Sequence, residues 1–120
     1  MIASFLNLSA VVEYVRKASG NVLVVCSGWK GKVNLEDTIF AGALVEHLKN
    51  DVEAACDAPL IAQRLYNEAR HNLKDFLKDA SHIKRLHRLN IERDIDFCLT
   101  EDQYHIVPVI REEVITILKP

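Results

Sequence analysis

Glycine, proline and aromatic residues are scarce in this chain: four glycines, three prolines and a 7% aromatic share among 120 residues, with a single tryptophan. There is no low-complexity stretch, internal repeat or linker, so nothing marks a second domain. Charge of one sign is missing as well, since fifteen Lys+Arg face seventeen Asp+Glu and leave a net −2. That balance removes any whole-chain drive toward nucleic acid or anionic membrane, and an anion site has to be local. The three cysteines, Cys26, Cys56 and Cys98, are odd in number and lack both zinc-pair spacing and a disulfide framework, which suits a reducing cytoplasm. No apolar run approaches the roughly 18 residues of a membrane helix. Met1–Asn7 has neither a basic segment nor a signal core. The expectation is a soluble, unprocessed cytoplasmic protein that partners neither nucleic acid nor membrane.

What is present is core material. Hydrophobic residues make up 49% of the chain, enough for one domain over 1–120 that buries roughly two thirds of its unfolded surface. Residues 1–5 read as a strand ending at Asn7. Asn7 or Ser9 then caps a helix in which Leu8, Val11, Val12, Val15 and Ala18 recur at helical spacing until Gly20. Val22–Cys26 reads as an inner strand, which completes a βαβ unit and favours a parallel pair. Asn34 opens the next helix, with Asp37 placed as in a capping box and Leu35, Ile39, Ala43, Leu44 and Leu48 facing inward. A long helix is expected from Asp57 through Leu77, with Leu60, Ile61, Leu65, Ala69, Leu73 and Phe76 on its apolar face. A shorter helix follows over Ser81–Leu89, closed by Asn90. Ile95–Cys98 alternates like a strand, and Ile106–Ile110 and Val114–Leu118 form a hairpin in which Pro108 sits at an edge. The fold class is therefore α/β: three α/β/α layers, a mixed, partly parallel sheet and a C-terminal β-hairpin.

The junction from Val22 to Asp37 carries the most chemistry. A strand runs into a loop with Gly28, Lys30, Gly31 and Lys32, then into an acidic helix start. Loop amides and lysines in such a place can face a phosphate while Glu36 and Asp37 take a cation. Equally, the lysines can be solvated and the acids can simply complement the helix dipole. Adjacent helical carboxylates point about 100° apart, so one can cap while the other reaches magnesium. Cys26, six positions before Lys32, invites comparison with cysteine phosphatases. Lysine is a poor stand-in for their arginine, and a buried cysteine acting as a small hydrophobe is the plainer reading. In Ser81–Arg88 a basic face surrounds Ile83 and Leu86. Either it is solvated, or its first turn, with Ser81 and His82, meets an anion while Lys84 or Arg85 adds charge. His47, His71 and His105 show no metal-ligand spacing. Trp29 reads as a lid over the core or, alternatively, a ligand wall.

Several blocks together, Ser4-Phe5-Leu6-Asn7 with Ser9-Ala10-Val11, Val25-Cys26-Ser27-Gly28 with Gly31, and Leu35-Glu36-Asp37-Thr38 with Ala41-Gly42-Ala43-Leu44-Val45, resemble the second half of the 2-phosphosulfolactate phosphatase family. Ser81-His82, Leu86, Leu89, Asp94 to Cys98 and Val107-Pro108 continue the match in order. The resemblance implies a magnesium-dependent acid phosphatase that converts 2-phosphosulfolactate to 3-sulfolactate on the route to coenzyme M. It implies a small anionic phosphorylated substrate and a cleft near Asn7, Ser27, Gly28, Glu36 and Asp37, with Ser81 and His82. Lys30 and Gly31 join the substrate-binding set through the loop, and Glu36 and Asp37 are the catalytic and Mg2+-binding candidates. Ala3 and Asn90 stand where the family usually has glycine. Family members are about twice as long, so the chain resembles a C-terminal half. The alternative is a catalytically silent domain that binds an anion or a partner subunit, with a homo-oligomer or the missing N-terminal half as the partner.

Overall fold

The computed structural model describes residues 1–118, except for the side chain of Glu92. Its elements are a 3-10 turn (Phe5–Asn7), α1 (Leu8–Lys17), α2 (Leu35–Leu48), α3 (Asp57–Ala69), α4 (Leu73–Leu77), α5 (Ser81–Arg88), α6 (Glu92–Cys98), β1 (Val107–Arg111) and β2 (Val114–Leu118). The chain is a mixed α/β protein with a C-terminal antiparallel hairpin. It divides into two compact units, one formed by Met1–Val22 with the chain from Cys98 onward, the other by Leu23–Phe97.

In the first unit, α1 presents Leu8, Val11, Val12 and Val15 as a buried stripe, with Leu8, Val11 and Val107 fully enclosed. Each such side chain contributes about 1.5–3 kcal/mol through burial. The hairpin pairs Val107 with Leu118 and Arg111 with Val114. Its two turn residues, Glu112 and Glu113, have φ of 50° and 64°, the conformation that matches strand twist in a two-residue loop. The expected first strand is instead a 3-10 turn preceded by an irregular segment, joined to β1 by Ile2 N donating to Pro108 O at 2.8 Å. Asn7 explains the change. Its side-chain amide donates to Ile2 O and Ile106 O, and its Oδ1 accepts from Ser4 N at 2.9 Å. These bonds curl the chain start into a turn. The cap of α1 is likewise supplied from far away: Asp102 accepts from Ser9 N at 2.7 Å and Ser9 Oγ at 2.6 Å, so neither Asn7 nor Ser9 caps by its own side chain.

In the second unit, α2 buries Ile39, Ala41, Gly42, Ala43, Leu44 and Leu48, nearly its whole circumference at mid-length. A helix apolar all round has to be covered, and α3 covers it through Ala62, Tyr66 and Ala69. A Cβ on Gly42 would overlap the Ala62 carbonyl oxygen and sit 2.9 Å from Tyr66 Cβ, so the glycine sets how closely the two backbones approach. The buried face of α3 is thus narrower than expected, and Leu60 and Ile61 are exposed. The long helix also stops at Ala69, because Asn72 Oδ1 accepts from Asp75 N at 3.1 Å and starts α4 afresh. A capping side chain of this kind competes with helix continuation.

Two further expectations fail for the same reason: short apolar runs do not specify a strand without neighbours. Ile95–Cys98 lies in α6, with Ile95 its buried anchor. Val22–Cys26 adopts no regular structure, and Leu23 and Val25 are 85% and 77% exposed. Among the described residues the hairpin is the one regular sheet, so α1 is flanked by no βαβ strands.

Glu46 fastens α2 to α3. Its carboxylate accepts from Lys49 Nζ at 2.6 Å, Asn67 Nδ2 at 3.0 Å and Gln63 Nε2 at 2.8 Å. These bonds, led by Lys49, hold its pKa down from 4.5 to about 2. A carboxyl depressed on folding stabilises the protein above its unfolded pKa and loses that contribution as pH falls toward the folded one. Between pH 4.5 and about 2, the thermal unfolding midpoint of the wild-type chain is therefore expected to drop further than that of Glu46→Gln; parallel curves would remove Glu46 as an acid-sensitive fastener.

Candidate active site

The glycine loop is fixed before any ligand arrives. Trp29 N donates to Lys32 O and Lys32 N to Trp29 O, both at 3.0 Å, around a tight turn in which Lys30 and Gly31 have φ of 51° and 73°. Both central residues of such a turn are left-handed, which costs a non-glycine residue roughly 1–2 kcal/mol. Just before the turn, Gly28 has φ 65°, and a Cβ there would lie 2.5 Å from Lys32 O. Its amide donates to Asp37 Oδ2 at 2.7 Å. Asp37 therefore tethers the loop to the first turn of α2 rather than closing a capping box with Asn34. The amides of Gly28, Trp29 and Lys32 are thus committed to protein acceptors.

Cys26 is not the buried core residue expected. The residue is exposed, and its Sγ lies 3.5 Å from Asp37 O. Partial burial of the thiol, and secondly the Asp37 charge, push its pKa above the ordinary value, the wrong direction for a thiolate nucleophile.

Helix α5 brings its first turns to the same place. His82 Nδ1 lies 3.5 Å from Glu36 Oε1 and 2.8 Å from Arg85 Nη2. Because a guanidinium can only donate, a bond to Arg85 makes Nδ1 the acceptor and leaves the ring proton on Nε2. The approach of Glu36 to that same nitrogen is then a close polar contact without a shared proton. Glu36 Oε2, on the other side of the carboxylate, is buried without a hydrogen-bond partner. Trp29 is 50% exposed, so it is no lid over the core; Arg85 Cζ stacks 3.9 Å from its ring centroid, and Lys30 Nζ lies 5.9 Å from it.

Of the residues singled out in the sequence, Gly28, Lys30, Gly31, Glu36, Asp37 and His82 thus belong to one constellation in the second unit. Ser27 precedes Gly28 in the loop and Ser81 opens α5, both exposed. Asn7 belongs to the first unit, where its amide is fully engaged, and its observed role is that of a backbone clamp. The partnership of Trp29 with Arg85 was not foreseen; the basic character of α5 pointed to Arg85, but nothing local specified its aromatic platform.

Among the described residues no three His, Cys, Asp or Glu side chains converge into a preformed metal cage. Magnesium does not need one, since it takes one or two carboxylates and keeps waters. The orphaned Glu36 Oε2 beside Asp37 suits that donor requirement.

Comparison with known proteins agrees with the order of motifs. A sequence model of the family described as 2-phosphosulpholactate phosphatase matches residues 1–113. The chain belongs to that family. It is 44% identical over 109 residues to the probable 2-phosphosulfolactate phosphatase of Thermotoga petrophila, covering 90% of this chain and 46% of that protein. It is 36% identical over 117 residues to the Caldanaerobacter subterraneus protein of the same description, covering 96% and 48%. With the Synechocystis relative the identity is 37% over 110 residues, covering 88% and 46%. The chain spans about half the length of these curated relatives. No helix among the described residues is long and apolar enough to cross a membrane.

The two loop glycines can be told apart. Gly28→Ala meets both the left-handed backbone and the Lys32 carbonyl, whereas Gly31→Ala meets the backbone penalty alone, with open space around its Cβ. Urea unfolding should show Gly28→Ala as the costlier change by about 1–3 kcal/mol, the usual range for overpacking. Equal losses would mean that the Lys32 contact yields without cost.

Proposed function

We propose that this chain carries the catalytic face of a magnesium-dependent acid phosphatase that hydrolyses 2-phosphosulfolactate to 3-sulfolactate and phosphate, on the route to coenzyme M. The observation behind this reading is the buried, unpartnered Glu36 Oε2 next to Asp37, the glycine loop and His82. Glu36 and Asp37 would hold the ion, which when bound supplies Lewis-acid polarisation of a phosphoryl oxygen. Ser27, Gly28, Lys30 and Gly31 line the phosphate side from the loop, and Ser81 and His82 do so from α5. Lys30 contributes positive charge, and His82 offers its Nε2 proton to an oxygen of the substrate or leaving group. Water is the nucleophile in this reading; the raised pKa of Cys26 argues against the thiol. Three free cysteines suit a reducing, cytoplasmic setting.

Asp37→Asn keeps an oxygen for the Gly28 amide and removes the charge. Phosphate release from 2-phosphosulfolactate is the direct assay, run on the purified chain with magnesium and with chelator. Chelator-sensitive release should fall about a hundredfold or more in the variant, as for loss of a charge-stabilising group. Undiminished release would exclude Asp37 from the site.

A second reading follows from the exposed apolar segment. Leu23, Val25 and the nearby Val33, 84% exposed, have inner-strand chemistry without a sheet. In the three-layer α/β/α arrangement with a mixed, partly parallel sheet, Val22–Cys26 would be an inner strand. Its neighbours would come from the remaining half of the relatives' length or from a second copy of the chain. In isolation the chain would then be a catalytically silent domain that binds an anion or a partner subunit. Light scattering at high concentration should show self-association that Leu23→Asp with Val25→Asp reverses; a well-behaved monomer would count against this reading.

A further inference from the structure

Lys30 and Arg85 differ from four helix-borne or helix-flanking lysines of the second unit. Lys49, Lys74, Lys78 and Lys84 each pair with a carboxylate, on Glu46, Asp96, Asp75 and Asp79 respectively. Among the described residues, Lys30 and Arg85 pair with none; both instead approach the Trp29 ring. Two cations gathered on one half-exposed indole repel each other unless an anion comes between or beside them. Stacking on the indole and the 2.8 Å bond to His82 Nδ1 restrict the guanidinium, which lowers the entropy it loses on taking a ligand. Its remaining N–H groups form the fork that matches two oxygens of a tetrahedral oxyanion.

We infer that Arg85, laid on Trp29 and anchored through His82, forms with Lys30 a seat for a tetrahedral oxyanion of the phosphate or sulfonate class. The seat deepens the phosphatase reading and rests on it for the substrate's chemical class alone. His82 stands between Arg85 and Glu36, so the anion-facing and cation-facing groups are adjacent but separate. Arg85 here binds substrate; it takes no part in bond making or breaking.

Trp29 is the chain's single tryptophan, so its fluorescence reports directly on the seat. Inorganic phosphate and methanesulfonate are titrated separately at constant ionic strength held with chloride. A saturable change with at least one of them is expected, and the one that binds tells a phosphoryl seat from a sulfonate seat. Arg85→Met should weaken binding about ten- to a hundredfold, the scale of one or two hydrogen bonds to a charged group. Arg88→Met, on the same helix, should leave it unchanged. Arg85→Lys keeps the charge without the fork and should weaken binding about tenfold; it decides the matter if circular dichroism shows that Arg85→Met does not fold. No saturable change with either anion, or equal affinity in the wild type and Arg85→Lys, would overturn the seat. Because the readout needs no turnover, anion binding without phosphate release would leave the seat standing and remove the phosphatase reading of this chain. Phosphate release without an Arg85-dependent signal would do the reverse.

Discussion

The bond from Gly28 N to Asp37 Oδ2 joins the glycine loop to helix α2, and the arrangement of the site depends on it. Gly28 can donate that bond only because its left-handed backbone brings the amide round, and no side chain would fit beside the Lys32 carbonyl. With the loop held there, Trp29 is delivered as a platform to α5, and Arg85 is drawn over it. The same carboxylate helps keep the Cys26 thiol protonated. One acidic side chain thus fixes where the loop lies and adds to the burial that raises the Cys26 pKa.

Around His82 the polar groups form an unbalanced series. Arg85 donates a hydrogen bond to Nδ1, which leaves Glu36 facing a nitrogen that cannot donate back, with its outer oxygen buried and unmatched. A carboxylate oxygen left this way is costly inside a protein. In the magnesium-dependent reading proposed above, an ion held by Glu36 and Asp37 would relieve that cost.

Much of the helical framework was legible in the sequence. Helices α1, α2 and α5 follow from apolar spacing and from residues such as Asn34 and Asn90, and the hairpin follows from two β-branched runs about a short polar turn. Structure that depends on distant partners was not legible. Val22–Cys26 has strand composition but no neighbouring strand, so the propensity alone leaves it open. The Asn72 cap overrides an apolar pattern that would otherwise carry α3 onward to Leu77. For the site, the loop, the acidic helix start and the start of α5 could be named because motif order pointed to them. The stacking of Arg85 on Trp29 joins residues 56 positions apart and has no local signature. Asn7 is a polar residue in a prominent motif whose side chain is engaged by Ser4 and by the carbonyls of Ile2 and Ile106, contacts that its local sequence does not announce.

The two units also differ in how far apart in the chain their contacts lie. In the second unit α2 packs on α3, the next helix along, and Glu46 reaches residues only 17 and 21 positions away. The first unit is closed by bonds such as Asn7 to Ile106 and Ser9 to Asp102, across 99 and 93 positions, with the whole second unit in between. Loop-closure entropy opposes such contacts until the intervening chain has condensed. Connectivity of this kind favours assembly in which the inner helices form before the ends of the chain meet.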